Sequence, residues 1–379
     1  MTPADLSRTV LHAVRRAVDE DALRAPVPAR VRVERTRPGG SGDYACAVAL
    51  QLAGPAALPA LEVARILRER VAAEPGVGRV EITGPGFLSF TLDAPAAGDR
   101  TVLAAVREQG LAYGHGDALR DEVHQFHHAR EVRAAVTAQT VRRLLTAQGA
   151  RVRTSCAEPP DPGWARLGVT VDAHGTPPVP LTGIRPVPAG ATAGELLERL
   201  GPDAARWGLL RAAGHDRAAL GPELLVQGEA NPLFRVRYAH ARARALTRGA
   251  AALGFTAEAA PYGECPTEPA ARGASPAANT EPAATTAYDA AARPLLDLIA
   301  DHPGVLLAGA RHRAPDRVAR QLEAVAHAFF DFHDSCPPLP AGDEKPSAAH
   351  RARLAIAEAA GTVLAGGLSL LGIRAPEHL

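Results

Sequence analysis

The sequence predicts a mixed fold in three parts: an α+β N-terminal domain over 1–95, a linker with a short α/β segment over 96–192, and an all-α domain over 193–379. Three observations support this division. In the first part, stretches with the apolar spacing of a helix alternate with stretches that have the spacing of a strand. Residues 153–192 are dense in proline and glycine, which leaves little room for a core of their own. From about residue 193 onward the apolar spacing is helical.

The N-terminal domain begins with an amphipathic helix over 3–19, in which Leu6, Val10, Val14 and Val18 recur at helical spacing. Further along we expect three strands and a second helix, with the strands at 28–36, 80–82 and 87–92 and the helix at 59–73. The four residues between the last two strands (TGPG) favour a tight turn, because glycine and proline suit its backbone angles.

The rest of the chain is predicted to be mostly helical. We expect helices over 96–110, 131–148 and 347–371, with one short strand at 167–171. The clearest apolar stripe steps by four and three residues through Val318, Leu322, Val325, Phe329, Phe332 and Cys336. Residues 257–287 are rich in proline, alanine and threonine and cannot bury enough apolar surface to offset their ordering entropy. We therefore expect a disordered insert there.

Composition limits the possible functions. The net charge of +1 is far from the basic excess of an overt nucleic-acid binder. Lys345 is the only lysine, so a mechanism that needs a lysine elsewhere is excluded. The four cysteines lie far apart, with no histidine at metal-ligand spacing. We expect reduced thiols, no metal and no cofactor.

No uninterrupted apolar run is long enough to cross a bilayer. The apolar residues of the first helix are spaced rather than bunched, unlike those of a signal peptide. We therefore expect a cytoplasmic protein without a membrane partner, and a monomer.

Several stretches, in this order along the chain, resemble arginyl-tRNA synthetases: 42–50 (GDYACAVAL), 84–90 (GPGFLSF), 110–114 (GLAYG), 201–207 (GPDAARW), 231–234 (NPLF), 237–242 (RYAHAR) and 371–379 (LGIRAPEHL). Together the matches cover roughly residues 1–115 and 195–379. The resemblance implies an N-terminal additional-type domain of that family, a remnant of a class I synthetase α/β core, and a DALR-type anticodon-binding bundle.

The middle of the chain departs from the family pattern. Two signatures of class I synthetases, an HIGH-type helix start and a KMSKS-type loop, stabilise the charge that develops on ATP phosphates. Here the first signature falls on 128–133 (HAREVR). His128 matches its first histidine, but Arg130 replaces the glycine beside the adenine ring, and Glu131 replaces the second histidine. The second signature falls near 180–188 (PLTGIRPVP) and has no lysine.

A metal site at the first signature is a weaker hypothesis. His124 and His128 are four residues apart, which on a helix brings two imidazoles to the same side. No cysteine or carboxylate is evidently placed to complete a site, although Glu131 follows closely. We favour a solvated remnant of the nucleotide site.

The resemblance also implies contacts with tRNA. Phe87 matches an aromatic residue that stacks on an unpaired base, and Ser89 stands where an amide usually hydrogen-bonds to that base. His333 stands where the family often has a tyrosine near the anticodon. An alternative is that Phe87 and Phe90 only cap the core of the hairpin.

Five arginines of the helical domain suit contacts with phosphates: Arg237, Arg244 and Arg248 on one face of a predicted helix, and Arg313 and Arg317 in a second basic run. A solvated face without a ligand is the alternative. Tyr238, on the first of these helices, is expected in its buried stripe.

We therefore expect a non-catalytic relative of arginyl-tRNA synthetases that binds tRNA, with the arginine tRNA as the first candidate. Two alternatives remain open. The first is a protein-interaction module that has lost RNA binding, which the nearly neutral net charge favours. The second is an arginine–tRNA ligase, with or without another chain to complete it, which the degenerate signatures disfavour.

Overall fold

A computed structural model describes residues 3–36, 42, 44–74, 77–92, 95–259 and 287–379. The chain divides into two units, Met1–Val102 and Leu103–Leu379. Residues 103–192, which were predicted to form a separate segment, therefore belong to the same unit as the C-terminal helices.

The first unit is an antiparallel sheet with helices packed against it. Its elements are α1 (Pro3–Asp19), β1 (Val33–Arg35), β2 (Tyr44–Cys46), α2 (Val48–Ala56), α3 (Ala60–Ala72), β3 (Val77–Thr83) and β4 (Phe87–Leu92). The strand order is β1-β2-β4-β3, and each neighbouring pair is antiparallel. Leu6, Val10, Leu67 and Phe90 lie in its core, fully shielded from solvent. The predicted α+β class of this part is confirmed.

The tight turn between β3 and β4 depends on two glycines. Gly84 has a φ angle of 55° and Gly86 one of 133°, values that side chains with a Cβ rarely adopt. A Cβ on Gly86 would also lie 3.1 Å from the backbone of Ala60, at the start of α3. The turn predicted at TGPG is present, and it leaves Phe87 as the first residue of β4.

The second unit begins with a parallel sheet. After α4 (Pro95–Gln109) and a 3₁₀ turn (Gly110–Ala112), the chain forms β5 (Val123–His128), α5 (Val132–Ala147), β6 (Arg151–Cys156), a second 3₁₀ helix (Pro162–Leu167), β7 (Ala173–His174) and β8 (Thr182–Gly183). The strand order is β7-β6-β5-β8, with every neighbouring pair parallel. The strand predicted at 167–171 is wrong, because Leu167 ends a 3₁₀ helix and Gly168 adopts a left-handed conformation.

The remaining elements form a helical bundle, as predicted. They are α6 (Ala193–Arg211), a 3₁₀ turn (Pro222–Leu225), α7 (Pro232–Ala252), α8 (Ala287–Arg311), α9 (Asp316–Ser335) and α10 (Ala348–Leu371). Helix α9 packs against α7, α8 and α10, and its apolar stripe from Val318 to Phe332 is fully buried. Helix α5 packs against α6, α8 and α10, so the parallel sheet and the bundle share one core.

The stretch 201–207 joins the sheet to the bundle. Gly201 breaks α6 with a φ angle of 71°, which turns the second half of the helix inward. Arg206 is buried there and donates hydrogen bonds to the carbonyls of Leu167 and Leu371 and to the hydroxyl of Thr140. Burial lowers the pKa of Arg206 to about 9, so the guanidinium still carries its charge at neutral pH.

Two expectations about the C-terminal half need correction. Helix α10 is long and apolar enough to cross a membrane by length and composition alone, contrary to prediction, but 72% of its apolar window is buried inside the bundle. The bent pair α2 and α3 also passes that test jointly. Of the predicted disordered insert, residues 260–286 lie outside the described residues, whereas 257–259 pack against α10 through the Glu258 amide and the Arg351 carbonyl.

Candidate nucleic-acid interface

The β3–β4 hairpin places its two phenylalanines in different surroundings. Phe87 is 38% exposed and stands free of the core, whereas Phe90 is fully buried beneath the sheet. The alternative that both rings only cap the core therefore holds for Phe90 alone. Phe87 is left with a face that can stack on a base.

Ser89 does not fit its predicted role. Its side chain is only 3% exposed, because neighbouring strands place Ala45 and Glu81 beside it. Its hydroxyl oxygen lies 2.9 Å from that of Thr83, so its hydrogen bond is made within the hairpin. This geometry does not favour a contact between the Ser89 hydroxyl and a base, which stays a prediction.

The start of α5 is filled by a carboxylate of the chain itself. Helix N-termini bind phosphates because their first amides are unpaired and carry partial positive charge. Here Glu131 is the N-cap residue, and its two oxygens accept hydrogen bonds from the amides of Ala134 at 2.7 Å and Ala189 at 2.9 Å. An anion bound at this position would have to displace Glu131.

Arg133 ties the next turn of α5 to the rest of the unit. Its guanidinium is buried and donates five hydrogen bonds to the backbone carbonyls of Val187, Leu209, Ala212, Ala213 and Asp216. Burial lowers its pKa, and no carboxylate forms an ion pair with it among the described residues. The guanidinium donates to carbonyl oxygens, and the nearby carboxylates of Glu131, Asp216 and Asp316 also favour its charge. These hydrogen bonds close this end of the helix against the following loop and α6.

The two stretches that were matched to the class I signatures lie side by side. Strand β8, which belongs to the KMSKS-like stretch 180–188, pairs with β5, and the Ile184 amide donates to the carbonyl of His127. Ala189, at the end of that stretch, reaches Glu131. The loop and the helix start therefore meet where β5 ends.

His128 and Arg130 are both engaged in local structure. His128 is buried against Trp164, and its Nδ1 lies 2.9 Å from the carbonyl oxygen of Ala129. Burial lowers its pKa, so the ring stays neutral at pH 7. Arg130 is exposed and donates from Nε to the carbonyl of Pro159 at 2.9 Å, across the ends of β5 and β6.

The metal hypothesis rested on a helix that does not form. His124 and His128 lie on β5, where residues four apart are more than 12 Å apart by strand geometry of about 3.3 Å per residue. His124 instead contacts Glu122 at 2.9 Å. Across the described ranges, no three histidine, cysteine or acidic side chains come together in a way that would hold a metal.

Three of the predicted phosphate ligands already contact anions of the chain. Arg237 pairs with Asp203 at 2.9 Å and also donates to the carbonyl of Arg374. Arg244 pairs with Glu377 at 3.1 Å, and Arg248 lies 3.9 Å from the same carboxylate. The three arginines are therefore paired within the chain, Arg237 with α6 and the other two with the C-terminal tail.

The second basic run is open. Arg313 and Arg317 are exposed at the start of α9, and neither makes a side-chain hydrogen bond or ion pair with the residues that the structure describes. Arg320, one turn further, pairs with Asp316. Only the first two of these arginines are therefore available to phosphates without breaking an ion pair.

An aromatic ladder, which we define as Phe234, Tyr238 and Phe330, crosses from α7 to α9. The Phe234 and Tyr238 ring centroids are 5.7 Å apart, and those of Tyr238 and Phe330 are 5.5 Å apart, each pair stacked. Tyr238 is 45% exposed, so the prediction that it lies in the core is wrong. The buried face of α7 instead includes Val236, Ala239, Ala243 and Leu246.

His333 lies one turn beyond the ladder. Its Nε2 is 3.3 Å from Nη2 of Arg242, and its Nδ1 is 3.1 Å from the carboxylate of Asp334. A half-buried imidazole beside an exposed guanidinium and stacked rings is the arrangement on which unpaired bases stack. The sequence contains a signal for this surface. Phe234 and Tyr238 are four residues apart, a spacing that places two side chains next to each other on a helix.

Family models match the two parts of the chain that contain the exposed aromatic residues. Residues 5–92 match the family model for the arginyl tRNA synthetase N terminal domain, and residues 236–379 match the DALR anticodon binding domain. The matched ranges contain the hairpin with Phe87 and most of the aromatic ladder.

Curated relatives are arginine–tRNA ligases. The chain is 27% identical to the one from Frankia alni over 576 aligned positions and 26% identical to the one from Renibacterium salmoninarum over 575, with all of both proteins covered in each comparison. A third, from Pseudarthrobacter chlorophenolicus, is 35% identical over 186 residues, 49% of this chain and 30% of the relative. Because this chain has 379 residues, the longer alignments include positions at which it has none.

Solved structures share the fold. The arginyl-tRNA synthetase of Thermus thermophilus matches with a TM-score of 0.68 and 14% identity, covering all of both chains. A Campylobacter jejuni structure described as a putative arginyl-tRNA synthetase matches with a TM-score of 0.55 and 10% identity, over 76% of this chain and all of that one. Two domain models and relatives aligned along the whole chain thus agree, and the chain belongs to the arginyl-tRNA synthetase family.

Proposed function

We propose that this chain binds tRNA through its N-terminal and anticodon-binding domains and does not aminoacylate it. The observation on which the non-catalytic part rests is the carboxylate of Glu131 at the start of α5. It occupies the amides that would receive a phosphate, and its negative charge would repel ATP there.

Three further features argue against catalysis. Arg133 locks the adjoining loop with five hydrogen bonds, so opening the site would strand a buried charge and several carbonyls. The stretch 180–188 has no lysine to bind phosphates. The relatives align over about 576 positions, against 379 residues here, which suggests that part of the catalytic domain is missing.

Exposed aromatic groups in both family domains support the RNA-binding part. Phe87 projects from a hairpin in the first domain, and Tyr238 is at the centre of the ladder in the second. Stacking on bases contributes on the order of 1–3 kcal/mol per base, largely independent of base identity. The arginine tRNA is the first RNA to test, because the relatives are named as arginine–tRNA ligases.

A protein-interaction module is the second candidate, and one observation favours it. Arg237, Arg244 and Arg248 are paired with carboxylates of the chain itself, which lowers the attraction of this face for phosphates. In that case the exposed ladder would receive a protein side chain rather than a base.

Two measurements on the purified chain test the proposal. Filter binding to total tRNA across a salt series should give an affinity that falls steeply with salt, because counterions are released from phosphates. Lack of binding at low salt would favour the interaction module. Arginine-dependent exchange of pyrophosphate into ATP should remain at background, and exchange above background would overturn the non-catalytic assignment.

A further inference from the structure

One face of the parallel sheet is covered by helix α5, whereas the residues of the opposite face are more exposed. Helix α5 packs on β5 and β6, and the residues on that side, including Phe126, His128, Thr154 and Cys156, are buried. Alternate residues on the two strands point to the opposite side. That opposite surface, which we call the open sheet face, consists of Val123, Gln125, His127, Arg151, Arg153 and Ser155, none of which is fully buried.

The open sheet face is polar where parallel sheets are usually apolar. Parallel sheets normally bury both faces beneath helices and are rich in valine, isoleucine and leucine on each. Here Val123, at 59% exposure, is the single apolar residue among the six. This composition suits water or a polar ligand better than a missing apolar layer, because buried arginines without partners would cost several kcal/mol each.

Three exposed arginines make this face strongly basic. Arg151 and Arg153 stand two residues apart on the same side of β6, a separation of about 6.6 Å by strand geometry. Arg185 follows β8, and its side chain passes beside Gly183, the neighbour of His127 in the sheet. A Cβ on Gly183 would lie 2.8 Å from Nε of Arg185, so glycine permits this approach.

No residue that the structure describes pairs with these charges. None of the three arginines makes a side-chain hydrogen bond or ion pair with any residue in the described parts of the chain. The six residues of the face include no carboxylate, and Glu122, just before β5, contacts His124 on the other side. By contrast, Arg237, Arg244 and Arg248 on α7 are all paired within the chain.

We propose that the open sheet face binds the phosphate backbone of RNA. This inference rests on the proposed function and adds a third RNA-binding surface to Phe87 and the aromatic ladder. Guanidinium groups suit phosphates because they donate two parallel hydrogen bonds and keep their charge. The pair formed by His127 and Ser155, whose Nδ1 and Oγ are 2.9 Å apart, adds polar groups between Arg153 and Arg185.

An acidic protein is the other possible anionic occupant, and the face is poorly suited to it. Protein interfaces take most of their affinity from a few buried anchors, commonly aromatic side chains or arginines in pockets. The open sheet face has neither an aromatic residue nor an apolar cluster. Backbone phosphates need only spaced cations on an accessible surface.

The test compares RNA binding by four proteins across a salt series: the wild type, R151Q/R153Q/R185Q, the charge-keeping R151K/R153K/R185K, and R68Q/R166Q/R217Q. The last variant removes the same charge at exposed arginines that have no partner among the described residues. Thermal unfolding establishes that each variant is folded.

Each phosphate contact adds roughly 0.7 to 0.9 to the slope of log affinity against log salt. We therefore expect the slope of R151Q/R153Q/R185Q to be weaker than that of the wild type by about 2 to 3. The lysine variant and the R68Q/R166Q/R217Q variant should keep slopes within about 1 of the wild type.

Other outcomes overturn the inference in distinguishable ways. If the wild type binds RNA and R151Q/R153Q/R185Q has the same slope, the open sheet face is not an RNA surface, although the proposed function stands. If the wild type binds no RNA, both fail. If R68Q/R166Q/R217Q loses as much slope as R151Q/R153Q/R185Q, the effect belongs to net charge and not to this face.

Discussion

Phe87 and Ser89 lie two residues apart on β4 and point to the same side of the sheet, but their surroundings differ. Ser89 is flanked by residues of β2 and β3, whereas Phe87 pairs only with Thr83, at the end of the hairpin. Distance from the turn therefore decides which of the two can meet a ligand. A base stacked on Phe87 would be held without any contribution from the Ser89 hydroxyl.

Replacing Phe87 with alanine tests this assignment. We expect F87A to bind tRNA about 5- to 150-fold more weakly, since loss of one stacked base costs roughly 1–3 kcal/mol. Stability should change little, because the ring is outside the core. Filter binding measures the effect. The control S89A should bind as the wild type does, and an equal loss in S89A would mean that the hairpin itself, not the ring, determines affinity.

Glu377 is the second residue with a predicted effect. Its carboxylate contacts Arg244 and Arg248, and the tail to which it belongs lines a cavity of about 1600 Å³ beside α7. We expect E377Q to raise tRNA affinity severalfold at low salt and to steepen the salt dependence, because the negative charge beside both arginines is removed.

Asp343 offers a matched control for that change. It is exposed and remote in sequence from α7, so D343N removes one negative charge without releasing either arginine. Unchanged affinity in E377Q, or an equal gain in D343N, would show that Arg244 and Arg248 do not contact the RNA. The stability cost of losing an exposed pair is about 1 kcal/mol at most.

Among the elements, α5 connects the parallel sheet to the helical bundle. Its N-terminus receives Glu131, its first turn contains Arg133, and its length packs against α6, α8 and α10. In a nucleotide-binding fold the first helix must leave its N-terminus open to phosphate. Here the hydrogen bonds of Glu131 and Arg133 occupy that end of α5, and the helix packs against both the sheet and the bundle.

The α8–α9 pair contains a titratable group with a predictable effect on stability. His302 is completely buried, stacks on Tyr113 with a centroid distance of 6.0 Å, and lies 2.8 Å from Oε1 of Gln321. Burial lowers its pKa from 6.5 to about 4. In the unfolded chain His302 is therefore protonated below about pH 6.5, whereas in the folded chain it stays neutral down to about pH 4.

We expect the free energy of unfolding to fall as pH drops from about 6.5 to about 4, with His302 contributing on the order of 3 kcal/mol to that loss. Urea unfolding at a series of pH values measures it. In H302Q the pH dependence should be shallower, although His115, His240 and His350 also have pKa values lowered by burial and leave a residual slope. An identical slope in H302Q would exclude His302 as the cause.

For the whole molecule, the proposed absence of aminoacylation can be tested by introducing two residues of the class I signature. The variant R130G/E131H recreates the glycine and the second histidine beside His128. We expect no arginine-dependent exchange of pyrophosphate into ATP, because 180–188 still lacks lysine and Arg133 still closes the loop. Measurable exchange would show that the remaining core is sufficient.

The same variant should be less stable than the wild type. Glu131 caps α5 and also accepts a hydrogen bond from Ala189, and loss of an N-cap costs about 0.5–2 kcal/mol. Thermal unfolding checks this, with R130G alone as the control, since Arg130 is exposed.

Much of the architecture was predictable from local sequence. Apolar spacing predicted α1, α3, α5, α9 and α10, and TGPG predicted the hairpin turn, because these signals depend on residues close together in the chain. The parallel sheet was not predicted as such. Its outer strands β7 and β8 have two residues each, too few to show any periodicity.

The sequence by itself determined the order of the stretches that resemble the family, the absence of lysine from 180–188 and the presence of Arg130 and Glu131 after His128, since each is a matter of residue identity. Only the tertiary structure decided which arginines are free. Arg244 finds Glu377 from 133 residues away, whereas Arg151, Arg153 and Arg185 find no partner among the described residues. Spacing predicts which side chains share a face, but the groups opposite that face come from distant segments, and only folding brings them together.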